Sequence, residues 1–234
     1  APEDTQPFPR KLSETGLFAS TRQLIPAPGL IPYSVNSPMW SDGAQAERYL
    51  ALPGKSTIEF ETITFPSGGV PGGWKFPDGA VLVKTHFLEI ERGNPNSRRR
   101  LETQILHHER LVGSEEMGDQ FWRSYTYLWN DVQTDAVLLE DPNGLDRTFT
   151  IADPDAPGGK RRQTWHFASR SECLACHNMA AKYAIGVNTL QMNKRHDYGG
   201  IVDNQLRTLE HLGVFSEPLP APPEELPHLP DYSD

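Results

Sequence analysis

The chain has few cysteines, an excess of acidic over basic residues, and no long apolar run. Only two of its 234 residues are cysteine, which excludes the framework of several disulfides that is typical of small secreted domains. Lys and Arg number 22 against 31 Asp and Glu, a formal net charge of −9. This balance disfavours DNA and RNA as ligands, because binding to phosphates needs a basic surface. The longest apolar stretches are far shorter than the about 18 residues of a membrane-spanning helix, so we expect a chain that does not span a membrane.

The first residues, APEDTQ, contain neither an initiator methionine nor an apolar signal core. A secreted protein has this form after its signal peptide has been removed. We therefore expect a periplasmic or secreted protein.

Most of the chain has the pattern of antiparallel β structure. Segments rich in β-branched and aromatic residues are separated by turns rich in proline and glycine, of which the chain has 21 and 19. The predicted strands are 57–65, 79–91, 100–109, 121–129, 135–140, 147–151 and 163–167. They predict a meander or sandwich, interrupted by one short helix over 42–50 with Asp42 as its cap.

The pattern changes to a helical one after residue 170. Residues 171–185 and 203–213 each have a capping residue at the start and a glycine just beyond or at the end, and both are predicted helices. Residues 216–234 are rich in proline and acidic groups, which predicts an extended tail that docks on or tethers to another surface.

The two cysteines lie in the segment SECLACHNM, where Cys173, Cys176 and His177 form a C-x-x-C-H motif. This spacing is the attachment signal for c-type haem. Near the start of a helix the two thiols lie on one face and form thioethers to the haem vinyl groups, and the histidine that follows supplies the proximal iron ligand. The motif predicts one covalent haem c with its iron, and an electron-transfer protein.

Three other uses of this cysteine pair remain open at this point. A thioredoxin-like redox pair follows a strand of a βαβ unit, which the antiparallel pattern disfavours. A structural zinc site needs two more ligands from distant histidines. A disulfide across two intervening residues of a helix is strained.

The distal haem ligand is less well defined. Met192 is the first choice, because it lies 15 residues beyond His177, far enough to reach the opposite haem face. His196 and His86 are alternatives, and His107 and His108 are weaker ones. An open sixth site is also possible. Met179 is too close to His177 on the same helix and is expected to pack.

The predicted organisation is mainly β with a small helical part. It comprises a flexible N-terminal arm (1–16), a β-rich domain (17–168), a helical haem-binding segment (169–215) and a Pro-rich acidic tail (216–234). The favoured function is one-electron transfer with redox partner proteins outside the cytoplasm. Alternatives are a peroxidase-like haem enzyme with an open sixth site, and a haem-bearing interaction subunit of a larger redox complex.

Several strings of the sequence resemble a family of secreted, largely uncharacterised bacterial c-type haem proteins. In that family a β-rich region precedes a C-x-x-C-H segment. The strings are IPYSVNSPMWSDGAQAERYLALP (31–53), WKFPDGAVLVKTHFLE (74–89), LETQIL (101–106), YLWNDVQTDAVLL (127–139), WHFASRSECLACHN (165–178), GVNTLQMN (186–193) and NQLRTLEHLGVF (204–215). The resemblance implies that Cys173, Cys176 and His177 hold the haem. It also implies that a further cytochrome c domain often follows the proline-rich linker. His86 and Met192 stand where the family is expected to have Phe and Leu.

Overall fold

The computed structural model describes residues 8–65, 71–109 and 121–232. Within them the chain is mainly β, with antiparallel sheets and short helices. The strands are β1 (Phe18–Ser20), β2 (Ile25–Pro26), β3 (Ile31–Tyr33), β4 (Gln45–Ala51), β5 (Glu59–Ile63), β6 (Gly73–Lys75), β7 (Val81–Glu89), β8 (Arg98–His108), β9 (Trp122–Trp129), β10 (Ala136–Leu138), β11 (Leu145–Ala152), β12 (Lys160–Phe167), β13 (Arg195–Asp197) and β14 (Val202–Asn204). The α-helices are α1 (Arg170–Cys176), α2 (Thr189–Met192) and α3 (Gln205–His211).

Six strands form the central antiparallel sheet, in the order β10-β9-β8-β7-β4-β3. Neighbours in this sheet are mostly consecutive in the chain, and the separate hairpin β5–β6 is inserted between β4 and β7. The sheet is therefore a meander with one insertion. All seven predicted strands are present: four of them (β7, β8, β9 and β10) belong to this sheet, and three (β5, β11 and β12) belong to the separate hairpins β5–β6 and β11–β12.

One face of the sheet packs against the N-terminal segment. Val83, Ile105 and Tyr125 share this face and belong to a core cluster that also contains Leu12, which has no exposed surface. Phe8 stacks on Tyr125 with ring centroids 3.6 Å apart. Residues 8–16 of the predicted flexible arm are thus packed on the sheet, and residues 1–7 lie outside the described part.

The opposite face of the sheet packs against two later parts of the chain. Leu50, Leu82 and Leu106 on this face join a core cluster with residues of α2 and α3 and the segment after them. The β11–β12 hairpin contributes Trp165 and Phe167 to a second cluster. These two clusters cover the two ends of the face and leave a cleft between them.

The helix predicted over 42–50 is wrong. Residues 45–51 form β4, which pairs with β3 on one side and β7 on the other. Asp42 and Gly43 have φ values of 49° and 79°, so they form a left-handed turn into the strand instead of a helix cap. Pairing with two neighbouring strands outweighs the helical propensity of this short segment.

The two predicted C-terminal helices are present but shorter. The helix predicted over 171–185 ends as α1 at Cys176, and the left-handed residues Lys182 (φ 53°) and Tyr183 (φ 62°) turn the chain back. The helix predicted over 203–213 is α3, and Asn204 is its cap, with its side chain accepting from the Leu206 N–H.

Residues 216–232, here called the C-terminal segment, lie along the protein's own surface. Leu219 and Leu226 pack against the core, and Pro223 is buried. Leu229 N–H donates to the Leu190 carbonyl at 2.9 Å, and Tyr232 N–H donates to the Asn36 carbonyl at 3.0 Å. The proline-rich tail therefore has a surface to dock on within this chain; residues 233–234 lie outside the described part.

Candidate functional site

The start of α1 is fixed by a capping box. Ser169 N–H donates to Glu172 Oε2 at 2.8 Å, and the Glu172 N–H donates to Ser169 Oγ at 3.4 Å. His166 of β12 lies 3.1 Å from Glu172 Oε1 through Nε2 and 2.7 Å from Asp146 Oδ1 through Nδ1. The helix that carries both cysteines is thus anchored to the β11–β12 hairpin at its first turn.

The two cysteines have different surroundings. Cys176 is exposed and Cys173 is partly buried, and both are free thiols. Burial raises the pKa of the Cys173 thiol, although hydrogen bonds with Ser124 and Thr126 act in the opposite direction. A thiol with a raised pKa is a poor thiolate nucleophile, which disfavours a thioredoxin-like role for this pair.

His177 is held in a definite orientation. Its Nδ1 lies 2.7 Å from the Tyr183 carbonyl oxygen. Because a carbonyl only accepts, Nδ1 carries the proton and Nε2 keeps its lone pair. Burial lowers the pKa of His177, which favours the neutral form. A neutral imidazole oriented through Nδ1 to a backbone carbonyl is the arrangement found in metal-ligating histidines.

Cys173, Cys176 and His177 line one cleft between α1, the loop at 184–187 and the central sheet. The cavity volume of this cleft is about 310 Å³, and the cleft is partly open to solvent. The loop at 37–39 forms a further wall, and Met39 on this loop is 74% exposed. The motif residues therefore share a single cleft large enough for an organic ligand.

A row of polar side chains crosses the floor of the cleft. Tyr33, Arg48, Lys84, Gln104 and Thr126 are successive partners on β3, β4, β7, β8 and β9. They share one face of the sheet, and the first four line the cleft. Sequence patterns did not predict this row. Lys84 lies on the same face of β7 as Leu82 and His86, so a lysine at an inward-facing position of a hydrophobic strand was the available signal.

The cations of this row are partly buried. Burial lowers the pKa of Lys84 to about 8, with the nearby charge of Arg48 acting in the same direction. Burial also lowers the pKa of Arg48. Two positive charges thus lie in a poorly solvated floor beneath the cysteine motif.

The structure does not bring the predicted distal ligands into this cleft. Met192 is fully buried in the core cluster that contains Trp74 and Leu206, and is not among the residues that line the cleft. Its neighbour Gln191 lines the cleft instead. The physical reason is that α2 directs Met192 inward to the core. Its role as the distal ligand stays a prediction.

The histidine alternatives are also engaged elsewhere. His86 is buried, with Nδ1 3.1 Å from Glu102 Oε1. His196 contacts Ser34 Oγ at 3.0 Å, and His108 Nδ1 lies 2.9 Å from the Pro77 carbonyl. His86, His196, His108 and His107 are not among the residues that line the cleft. Met179 is 48% exposed and does not line it either.

Comparisons with models of known protein families, with curated protein sequences and with solved structures gave no match to this chain. Among residues 8–65, 71–109 and 121–232, no group of three or more His, Cys, Asp or Glu side chains is placed to hold a metal ion. In the same residues, no helix has the length and apolar character to cross a membrane. The site must therefore be interpreted from its own geometry.

Proposed function

We propose that this chain is a monohaem c-type cytochrome that transfers single electrons outside the cytoplasm. The observation that carries the proposal is the common cleft of Cys173, Cys176 and His177, with Nε2 of His177 left available by the Nδ1 contact to the Tyr183 carbonyl. Covalent attachment of haem c needs two thiols followed by one imidazole. It does not need a group of three or more metal-binding side chains.

The surroundings of the motif fit such a group. The cleft is apolar over Leu82, Leu106 and Val187, which suits a porphyrin ring, and polar over Arg48 and Lys84. Cys173 and Cys176 would form the thioethers, and His177 would be the proximal ligand of the iron. When bound, haem c supplies a one-electron couple between ferric and ferrous iron.

The chain's own residues would control how that group behaves. Tyr183 holds the His177 ring through Nδ1 and increases the basicity of the imidazole as a ligand. The sheet floor excludes water from one side of the cleft. The exposed Met39 and Trp40 lie at or beside its rim, where a redox partner protein could approach.

One observation favours a second candidate, a haem enzyme with an open sixth site. Of the histidines in the described residues, His177 alone lines the cleft, and Met192 is packed away from it. A small molecule such as peroxide would then meet the iron beside polar side chains of the floor. The proposal includes an extracytoplasmic location, because covalent haem attachment takes place outside the cytoplasm. It also includes the resemblance to the secreted c-type haem proteins.

The test is production of the full chain with export and a haem-attachment system, followed by haem staining of a denaturing gel and intact mass. We expect the mass of the chain plus one haem, with colour that stays on the polypeptide. Cys176→Ala keeps Cys173 and His177, so this variant should form at most one thioether and should mature poorly. Met179→Ala, on the same segment but outside the cleft, is the matched control and should mature normally.

A bare-chain mass, or zinc in place of haem, would refute the proposal. The optical spectrum of the matured protein then separates the two candidates. A low-spin ferric spectrum supports electron transfer with two axial ligands, and a high-spin ferric spectrum supports the enzyme.

A further inference from the structure

The cleft floor contains two like charges placed directly against each other. Arg48 on β4 and Lys84 on β7 are register partners on the face that lines the cleft. Like charges opposite each other on adjacent strands destabilise a sheet, and partial burial increases the cost. This arrangement therefore needs a compensating negative charge.

The described residues do not supply that charge at ion-pair distance. Arg48 Nη1 donates to the Ala46 carbonyl on its own strand at 3.3 Å, and neither Arg48 nor Lys84 forms a salt bridge there. Glu102 is the acidic group that acts on Lys84, but it forms no salt bridge with it: its Oε1 lies 3.0 Å from Gln104 Nε2 and 3.1 Å from His86 Nδ1, and its Oε2 is buried without a hydrogen-bond partner. Within the described residues, neither cation of the cleft thus has a carboxylate at salt-bridge distance.

The position of the pair relative to the cysteines indicates what the partner is. Cys173 lies over β9, beside Ser124 and Thr126. The strands that carry Lys84 and Arg48 are two and three strands from β9, about 10 and 14 Å between backbones at the usual spacing of strands, and the Lys84 charge reaches back far enough to act on Cys173 and His177. That span is comparable to the width of a porphyrin with its substituents. Haem c is attached through one edge and carries two carboxylates on another.

We propose that Arg48 and Lys84 bind the two propionate carboxylates of the haem and thereby orient it over the sheet. This inference rests on the proposed function and deepens it, because it assigns a role to two positioning residues outside the C-x-x-C-H motif. Each cation would neutralise one carboxylate through charge-assisted hydrogen bonds. It would also favour the ferrous state, because a nearby positive charge opposes the extra positive charge of ferric iron.

The experiment measures haem content and midpoint potential in the full, matured chain. Lys84→Met and Arg48→Met remove one charge each and leave an unbranched apolar side chain, which is close to lysine in length and shorter than arginine. Lys84→Arg keeps the charge, and Lys160→Met removes a charge from an exposed position on β12, away from the cleft.

We expect each of Lys84→Met and Arg48→Met to lower the midpoint potential. At a fixed applied potential the ferric-to-ferrous ratio should rise about tenfold in each variant. This is the size of effect expected when one unit charge about 10 Å from the iron is removed at an effective dielectric constant of about 20. For one electron this is a shift of about 59 mV. Lys84→Arg and Lys160→Met should stay close to the wild type, a pattern that a purely structural role for Lys84 would not produce.

The outcomes separate this inference from the proposed function. A wild-type chain without haem overturns both. A haem-loaded wild type whose Met variants match Lys160→Met overturns the inference alone. If added phosphate shifts the potential of the wild type but not of the Met variants, the cations bind a free anion and the propionate assignment is wrong. If Lys84→Met does not mature, Lys84→Arg decides: normal maturation and potential support the assignment, and a second failure overturns it.

Discussion

Replacing Asn193 by alanine should release the C-terminal segment from the body of the protein. Asn193 is only 6% exposed, and its Nδ2 donates to the carbonyls of Pro223 at 2.8 Å and Leu226 at 2.9 Å. Its Oδ1 accepts from Asn204 Nδ2 at 2.8 Å. One side chain therefore connects the segment after α2 to the C-terminal segment and to the cap of α3.

The magnitude follows from these three hydrogen bonds. Each contributes about 0.5–1.5 kcal/mol net, and buried partners left unpaired add to the loss. We expect the free energy of unfolding to fall by about 2–4 kcal/mol, which corresponds to a decrease in Tm of roughly 5–15 °C for a chain of this length. Thermal unfolding followed by circular dichroism, at equal haem content, measures this change.

Limited proteolysis provides a local readout of the same perturbation. Cleavage within residues 216–232 should become faster in Asn193→Ala than in the wild type. Asn96→Ala, at an exposed position in a turn, is the control and should change stability by less than about 0.5 kcal/mol. Equal stability and equal cleavage rates for Asn193→Ala and the wild type would show that Asn193 does not hold the C-terminal segment.

Three further predictions concern the core, the first helix and the hairpin beside it. Met192→Ala should lower the free energy of unfolding by about 2–5 kcal/mol, because the side chain has no exposed surface. Its near-infrared ferric spectrum should match the wild type. Ser169→Ala should cost about 1 kcal/mol through loss of the helix cap. The pKa of His166 is raised, mainly by its hydrogen bond with Asp146 and then by that with Glu172. The resulting stabilisation is complete below the unfolded value of about 6.5 and is lost as pH rises through the folded pKa. The difference in Tm between the wild type and His166→Gln should therefore be larger at pH about 5.5 than at pH about 8.5.

Each of these predictions has an opposing result. Loss of a thioether-to-iron charge-transfer band in Met192→Ala would make Met192 the distal ligand and require α2 to turn towards the cleft. No loss of stability in Ser169→Ala would mean that Glu172 alone holds the first turn of α1. A Tm difference for His166→Gln that does not change with pH would show that the pKa of His166 is not raised in the folded protein.

Local sequence patterns were sufficient to predict the strands and to identify the C-x-x-C-H motif. Enrichment in β-branched and aromatic residues predicted β7, β8 and β9, since these residue types favour the strand conformation locally. The spacing of Cys173, Cys176 and His177 predicted a haem c site without any knowledge of the fold, because the three residues lie within five positions of the chain. Both inferences depend on neighbours within a few residues.

Other features were decided by pairing between distant segments. Residues 42–50 have a helix-like pattern, yet β4 forms because β3 and β7 supply partners on both sides. The C-terminal segment is too rich in proline to fold alone, and it is ordered by the Asn193 side chain and by the core beneath it. Tertiary packing also directs Met192 inward, although its distance along the chain from His177 suited a distal ligand.

Short-range patterns in the sequence are therefore sufficient to predict a mainly β protein and to identify the C-x-x-C-H motif. The residues that face this motif are brought there by tertiary packing. Arg48 and Lys84 are 36 positions apart in the chain and become neighbours through the register of β4 on β7. Register is set by the burial of a whole sheet face and not by either residue alone, and so the charged floor of the cleft could not be inferred from the sequence.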